Sequence, residues 1–227
     1  MSTKKDILRQ LRKEYTLQGL SRREVAPTPF QQFDNWFLEA WDAEVPEPNA
    51  MTLCTVGKAG KPSARIVLLK DFDEGGFVFY TNYNSLKGQQ IAENPFVSLS
   101  FFWQPLERQV RIEGIAEKIG ANESDQYFQS RPRGSRLAAI ASPQSQVIES
   151  RDWLEKIWRE QENIFTEKER IPRPENWGGF SVKPERVEFW QGRDNRLHDR
   201  IVYETGEIYK ADADKTTGQW RIHRLAP

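Results

Sequence analysis

"MTLCTVGKAGKPSARIVLLKDFDEGGFVFYTN", residues 51–82, holds three runs rich in β-branched and aromatic residues, MTLCTV, ARIVLLK and GFVFYTN, separated by the glycine-bearing turns GKAGK and DEGG. Such runs read as strands, and turns that short make antiparallel neighbours. Two more follow, FVSLSFFW (96–103) and RQVRIEGIAEKI (108–119), and strands return at NWGGF, VEFW and IVYE and in the closing QWRIHRLAP. Helices frame them. One is expected from Lys4 to Tyr15, and a second over PFQQFDNWFLEAWDA, where Phe30, Phe33, Phe37 and Trp41 recur at helical steps as a core stripe. A short helix in NSLKGQQIAENP stops before Pro95, and others cover ESDQYFQS and Ile148 to Phe165. This order suits a mainly β, α+β architecture, a closed antiparallel barrel decorated by helices, and not a doubly wound parallel sheet. With 227 residues, no repeats and no linker, the expectation is one domain spanning 1–227.

Composition excludes several function classes. Lys+Arg and Asp+Glu both number 33, so no net field draws the chain to nucleic acid or to an anionic membrane, and any anion must be held by local clusters. The single cysteine, Cys54, cannot form an internal disulfide and reads as a buried structural thiol in MTLCTV. Two histidines, His198 and His223, cannot build a metal site alone, so none is expected. No G-x-G-x-x-G follows a strand, and neither a P-loop nor G-x-S-x-G occurs. The N-terminus lacks a secretory apolar core and no segment is long enough to span a bilayer, so the cytoplasm is the expected location.

What remains is cation beside strands. In WQGRDNRLHDR (190–200), Arg193, Arg196, His198 and Arg200 are balanced by Asp194 and Asp199 alone. Arg196, His198 and Arg200 leave one face if a strand begins near Arg196, and that face repels itself unless an anion covers it. Taken alone, the stretch also reads as a solvated hairpin with local Asp pairs. Arg65 and Lys70 bracket RIVLLK, Tyr80 and Thr81 end FVFYT, and Ser85 and Lys87 open the next helix, a mixture that suits phosphate-bearing ligands. Five residues apart, Arg65 and Lys70 point to opposite faces of a regular strand and so serve two different anions. Tyr127, Arg131 and Ser135 share a helical face if the helix runs through Pro132. If it breaks there they can still converge, and SRPRGS reads equally as a surface turn.

Taken together, RIVLLK, FYTN, LERQVRIEG, YFQSRPRGS, QSQ and EFWQG…RLHDR…RLAP resemble, in that order, the pyridoxine (pyridoxamine) 5′-phosphate oxidases, from Leu11 to Pro227. The resemblance implies a split β-barrel homodimer that binds FMN at the subunit interface. It implies oxidation of pyridoxamine 5′-phosphate or pyridoxine 5′-phosphate to pyridoxal 5′-phosphate, with dioxygen as acceptor and peroxide released. By matching positions, it assigns FMN to Arg65, Ile66, Val67, Leu68, Leu69, Lys70, Tyr80, Thr81, Lys87, Gln109, Gln144, Ser145, Trp190 and Arg200. The substrate falls to Lys70, Tyr127, Arg131 and Ser135 at its phosphate and to Arg196, Leu197 and His198 at its ring, with Arg196 and His198 in the catalytic positions. Arg12 and Tyr15 close over it, residues 1–25 forming a mobile segment or lid. The chain departs from the family pattern at Leu86, where an arginine is common, at Ile140 in place of a tryptophan, at Pro143, and in a longer hairpin, ETGEIYKADADKTTGQW. A split barrel can also serve a flavin reductase or a haem-handling protein, and a phosphate pocket could serve a non-catalytic carrier of pyridoxal phosphate. The reductase and the haem-handling protein would not require RPRGS together with RLHDR; the carrier stays an alternative.

Overall fold

The computed structural model describes residue 15 and residues 19–165, 170–205 and 220–227. The expected first helix, Arg12 and most of the long hairpin lie outside them. The chain divides into two compact units, one of Met1–Pro48, Ser100–Ile112 and Arg186–Pro227, the other of Asn49–Leu99 and Glu113–Glu185.

In the first unit, α1 (Pro29–Asp42) starts where a β-branched cap meets a proline: Thr28 accepts a hydrogen bond from the Gln31 N–H, and Pro29 stands where no intrahelical donor is needed. The buried face carries Phe33, Trp36 and Ala40. The aromatic stripe expected through Trp41 is corrected accordingly, for Trp41 is 67% exposed while Trp36 packs edge-on to Phe189 at 5.2 Å. Trp36 and Ala40 follow Phe33 by three and seven residues, whereas a position eight on has rotated towards solvent. Phe33 also meets Phe101 at 5.0 Å, and the Trp103 indole donates to the Pro48 carbonyl at 2.9 Å. Strands β8 (Asp199–Glu204) and β9 (Arg221–Leu225) pair antiparallel.

In the second unit, β1 (Ala50–Val56) pairs antiparallel with β2 (Pro62–Leu68) across the GKAGK turn, as expected. β3 (Asp71–Asp73) and β4 (Gly76–Asn82) form the next hairpin, whose Gly76 sits at φ 129°, a conformation other residues rarely adopt. The ARIVLLK run is therefore two segments. Its strand ends at Leu68, and the chain turns to lay β3 against β4, so β4 neighbours β3 and β7 (Trp177–Gln191) and not β2. The strand order is β2-β1-β5-β6-β7-β4-β3, with β5 (Phe96–Trp103) and β6 (Arg108–Lys118) central, β8 on β7 and β9 on β8. The fifteen-residue β7 supports two partners, residues 177–182 pairing with β4 and residues 186–191 with β8. Along β1, Met51, Leu53 and Thr55 are buried, so Cys54 falls on the other face as a half-buried free thiol, not the buried one expected.

Among the described residues, this unit carries the helices α2 (Leu86–Glu93), α3 (Ala121–Ser130), α4 (Arg133–Ala141) and α5 (Arg151–Ile164). The sequence reading did not place α4. Pro132 breaks the run, with Arg131 extended at φ −71°, ψ 148°, and a second helix starts directly after the proline. Among the described residues no helix is long and apolar enough to cross a membrane.

Candidate functional site

Within the second unit a cavity of about 820 Å³ opens beside β2, β4 and α4. β2 contributes Arg65, Ile66, Val67 and Leu68, and Lys70 follows it; β4 contributes Tyr80, Thr81 and Asn82. Lys87 comes from the first turn of α2, Tyr127 from α3, Arg131 and Pro132 from the break, Ser135, Ala138 and Ala139 from α4, Ser142 and Gln144 from the segment after it, and Trp177 from β7. Arg65 and Lys70, expected on opposite faces, line the same cavity, because the strand ends at Leu68 before the alternation reaches Lys70. Tyr127, Arg131 and Ser135 also meet there, across the helix break and not along one continuous helix.

Among the described residues, four cations line this space and no carboxylate does. Arg65 is pinned by its own strand pair: its guanidinium donates to the Leu53 carbonyl at 3.2 Å, to Thr55 Oγ1 at 2.6 Å and to Gln90 Oε1 at 3.4 Å. The Lys87 ammonium donates to Thr81 Oγ1 at 3.2 Å and to Gln144 Oε1 at 3.1 Å. Burial, with Arg65 nearby, holds its pKa below the usual lysine value. Arg131 lies over the Trp177 ring at 4.7 Å, and Trp177 stacks in turn on Tyr80 at 5.5 Å. Tyr80 and Tyr127 stack at 3.8 Å, and burial pushes the Tyr80 hydroxyl up to about 12, so it stays a proton donor at neutral pH. Arg131 Nη1 is buried without a hydrogen-bond partner, and burial lowers the pKa of its guanidinium. An unpaired, desolvated donor of this kind is costly, and an anion relieves that cost.

Two expected cofactor residues, Leu69 and Ser145, stand differently, as does Leu86, the position where the family pattern commonly has an arginine. Leu69 is buried, its N–H bonded to the Asn49 carbonyl at 2.8 Å, and does not line the cavity. Ser145, at φ 72°, and Leu86, half exposed at the start of α2, are also absent from the lining. Trp177, Asn82 and Ser142 line it without having been anticipated. NWGGF signals a strand, but nothing in it says that its tryptophan is the platform for Arg131.

The first unit holds the other expected residues. The RLHDR strand reading is corrected here: β8 begins only at Asp199, and Asp194–Arg196 forms a tight turn with Asn195 at φ 54° and Arg196 at φ 61°. The turn is closed by the Leu197 N–H on the Asp194 carbonyl at 3.0 Å, so Arg196 and His198 precede the ladder and only Arg200 projects from it. His198 Nδ1 accepts the Arg193 backbone N–H at 3.1 Å, which places the proton of the neutral ring on Nε2. Burial, and then Arg196, lower its pKa. Its ring lies 4.7 Å from Trp190, and Tyr15 meets both edge-on, at 5.6 Å from Trp190 and 5.7 Å from His198. Leu197 is 69% exposed beside them. Asp199 accepts the Leu20 N–H at 2.9 Å, pairs with Arg224 and stands 4.0 Å from Arg193, and this last contact makes part of the local Asp balance expected from a plain hairpin real. Gln109 donates to Ser100 Oγ at 3.4 Å.

Arg200 forks onto Glu188, Nε to Oε1 at 2.8 Å and Nη2 to Oε2 at 3.1 Å. The same carboxylate accepts from Arg186 at 3.0 Å and from Arg111. These cations overcome its burial and hold its pKa down at about 2. The carboxylate's folded value lies below the ordinary glutamate value of 4.5, so its stabilisation is complete above pH 4.5 and drains away as pH falls towards 2. Glu188→Gln should therefore flatten the acid limb of a pH–stability curve in that window, removing at most about 3 kcal/mol of pH-dependent stability, less because Arg111 is partly open to water. Urea melts of parent and variant from pH 6 to pH 2.5 check this, and parallel curves would rule it out.

Comparison with known proteins agrees with this geometry. Residues 37–165 match the family model "Pyridoxamine 5′-phosphate oxidase", and residues 177–227 match "Pyridoxine 5′-phosphate oxidase C-terminal dimerisation region". A pyridoxine/pyridoxamine 5′-phosphate oxidase of Nostoc punctiforme is 56% identical over 217 residues, 96% of this chain and 97% of that one. One of Paraburkholderia xenovorans is 53% identical over 220 residues, 97% of this chain and 99% of its own. Among solved structures, PhzG from Burkholderia lata, in complex with tetrahydrophenazine-1-carboxylic acid, superposes with a TM-score of 0.84 at 25% identity, over 95% of this chain and all of that one. An FMN-binding, pyridoxamine 5′-phosphate oxidase-related protein of Nostoc punctiforme has the same fold, with a TM-score of 0.68 at 17% identity over 89% of this chain and all of its own. These matches bear out the mainly antiparallel split-barrel class with peripheral helices, and an enzyme. The chain belongs to the pyridoxamine 5′-phosphate oxidase family.

Proposed function

We propose that this chain is an FMN-dependent oxidase of the cytoplasm that converts pyridoxamine 5′-phosphate or pyridoxine 5′-phosphate to pyridoxal 5′-phosphate, with dioxygen as acceptor, and that it works as a homodimer. The observation that carries this reading is a cavity lined by Arg65, Lys70, Lys87 and Arg131 and by no carboxylate, with a buried Arg131 donor left unpaired. Two phosphate-bearing ligands fit that donor set. Fixed N–H and O–H groups replace the water that a phosphate gives up, and charge-assisted hydrogen bonds of about 1.5–3 kcal/mol each offset its desolvation.

In this reading Arg65, Ile66, Val67, Leu68, Tyr80, Thr81, Lys87 and Gln144 hold FMN, and Lys70, Tyr127, Arg131 and Ser135 hold the substrate phosphate. Trp190, Gln109 and Arg200 complete the flavin set, and the match of residues 177–227 to a dimerisation region supports assembly as a homodimer. FMN, when bound among these residues, would supply two-electron oxidation of the substrate's amine- or alcohol-bearing carbon, with dioxygen as the final acceptor. Arg196 orients the amine or alcohol of the substrate. His198, held neutral with its proton on Nε2, donates a hydrogen bond without adding a further cation beside Arg196. Tyr15, edge-on to Trp190 and His198, shields that end from water.

The reading is tested by incubating FMN-loaded protein aerobically with pyridoxamine 5′-phosphate and following pyridoxal 5′-phosphate and peroxide together. Equal molar yields of the two are expected. Binding without turnover would make the chain a carrier of the phosphorylated vitamin.

A further inference from the structure

On β7, Val187 and Phe189 are fully buried in the core, which sends Glu188 and Trp190 to the opposite face of the strand. Trp190 pairs in register with Arg200 of β8, and Glu188 pairs with Val202, so Glu188 and Arg200 are diagonal neighbours on one face. On β6 the same alternation puts Gln109 and Arg111 on the side away from buried Val110 and Ile112. Three residues assigned above to the flavin, Gln109, Trp190 and Arg200, thus share their strand faces with a buried acid to which no role has been given. Glu188 is 1% exposed, and it gathers three guanidiniums.

Arg200 spends two of its N–H groups on the Glu188 fork and a third on the Ala226 carbonyl at 2.9 Å. Of the five N–H groups of a guanidinium, two remain unengaged among the described residues. A bidentate fork fixes the plane of the guanidinium as well as its position, so those two N–H groups point in a set direction. Without the carboxylate charge, Arg111, Arg186 and Arg200 would face one another as three like charges, and the flexible arginine stems would splay them apart.

We propose that Glu188 is a positioning residue for the cofactor: it acts through Arg200, holding that guanidinium in the plane in which its two remaining N–H groups meet the flavin. This rests on the assignment of Arg200 to FMN made above. Glu188 need not touch FMN at all. Its carboxylate sets where Arg200 points and lets three cations stand together on the cofactor's side of the sheet.

The test is a double-mutant cycle on the full-length protein, with FMN titrated into apo-protein and read by flavin fluorescence, for the parent, Glu188→Gln, Arg200→Ala and the double variant. Glu188→Gln should weaken FMN binding about tenfold, in line with the loss of an aimed charged hydrogen bond, and Arg200→Ala by at least as much. In the Arg200→Ala background, Glu188→Gln should change affinity by no more than about twofold, because its route to the flavin has gone. A merely structural Glu188 would cost the same in both backgrounds, and that additivity overturns the proposal, as does parent-like affinity in Glu188→Gln. If Arg200→Ala binds FMN as the parent does, the assignment of Arg200 to the flavin falls and takes this proposal with it, an outcome distinct from additivity. Should Glu188→Gln fail to fold, the same cycle is run with Glu188→Asp, which keeps the charge but is too short to hold the fork, and the same non-additivity is expected.

Discussion

Replacing Arg131 with alanine should raise the Michaelis constant for pyridoxamine 5′-phosphate by about tenfold or more while leaving the folded protein at least as stable as the parent. The two halves of that expectation have one cause. Arg131 Nη1 is buried without a hydrogen-bond partner among the described residues, so the ligand-free protein carries a desolvated donor that an oxygen of a bound phosphate satisfies. Removing the guanidinium deletes a charged hydrogen bond worth about 1.5–3 kcal/mol to the bound phosphate, and it also deletes the cost of leaving that group unpaired when no phosphate is present. An ordinary structural arginine behaves in the opposite way, losing stability with little effect on substrate. Steady-state kinetics and thermal melts of the ligand-free protein decide between them. An unchanged Michaelis constant would remove Arg131 from the substrate phosphate, and a large drop in melting temperature would mean that its stacking over Trp177 outweighs the burial penalty.

How much of this was open to reading in the chain differs residue by residue. The hairpin of β1 and β2 was legible because alternation and a glycine turn are local properties, and the same is true of the helical periodicity that gave α1. Arg65 and Lys70 were misjudged because alternation was carried past the end of a strand, and what ends β2 is the pairing of residues 71–73 with β4, a contact invisible in a window of five. Arg196 and His198 were placed on a strand because RLHDR alternates, but Asn195, one of the residue types that tolerates a left-handed backbone, closes a turn there first. The meeting of Tyr127, Arg131 and Ser135 was legible because the sequence left two routes open, a continuous helix or a break at Pro132, and the break that forms still lets the three converge. Trp177 had no signal at all. Its role depends on Tyr80, Tyr127 and Arg131 arriving from three other elements. Glu188 was hidden for a related reason, since a lone acid in VEFW reads as an exposed strand position until Arg111, Arg186 and Arg200 are seen to converge on it.

Because Trp177 joins the core to the site, truncating it should cost both stability and substrate binding. The residue is 6% exposed and packs with Phe128, Leu137 and Ile171, meeting the Phe128 ring edge-on at 5.1 Å. Its other face stacks with Tyr80 and supports the Arg131 guanidinium. Trp177→Ala removes a buried indole for which large-to-small substitutions cost about 3–5 kcal/mol, and in a chain of this length each kcal/mol lowers the melting temperature by about 2–4 °C. A fall of roughly 10 °C is therefore expected. The backbone contribution of Trp177 persists in the variant, for its carbonyl accepts from Arg173 at 2.5 Å whatever the side chain. The loss should thus be one of packing, without unravelling of β7. Trp177→Phe keeps a ring under Arg131 and fills most of the volume, so it should recover more than half of the stability and a Michaelis constant within about threefold of the parent, the cation–π share being only about 0.5–2 kcal/mol. Differential scanning calorimetry and steady-state kinetics on the three proteins separate the two roles. If Trp177→Phe restores the melting temperature but leaves the Michaelis constant as high as in Trp177→Ala, the indole itself is needed to aim Arg131. If neither variant melts below the parent, the aromatic stack is a surface feature and the cavity wall drawn here is wrong.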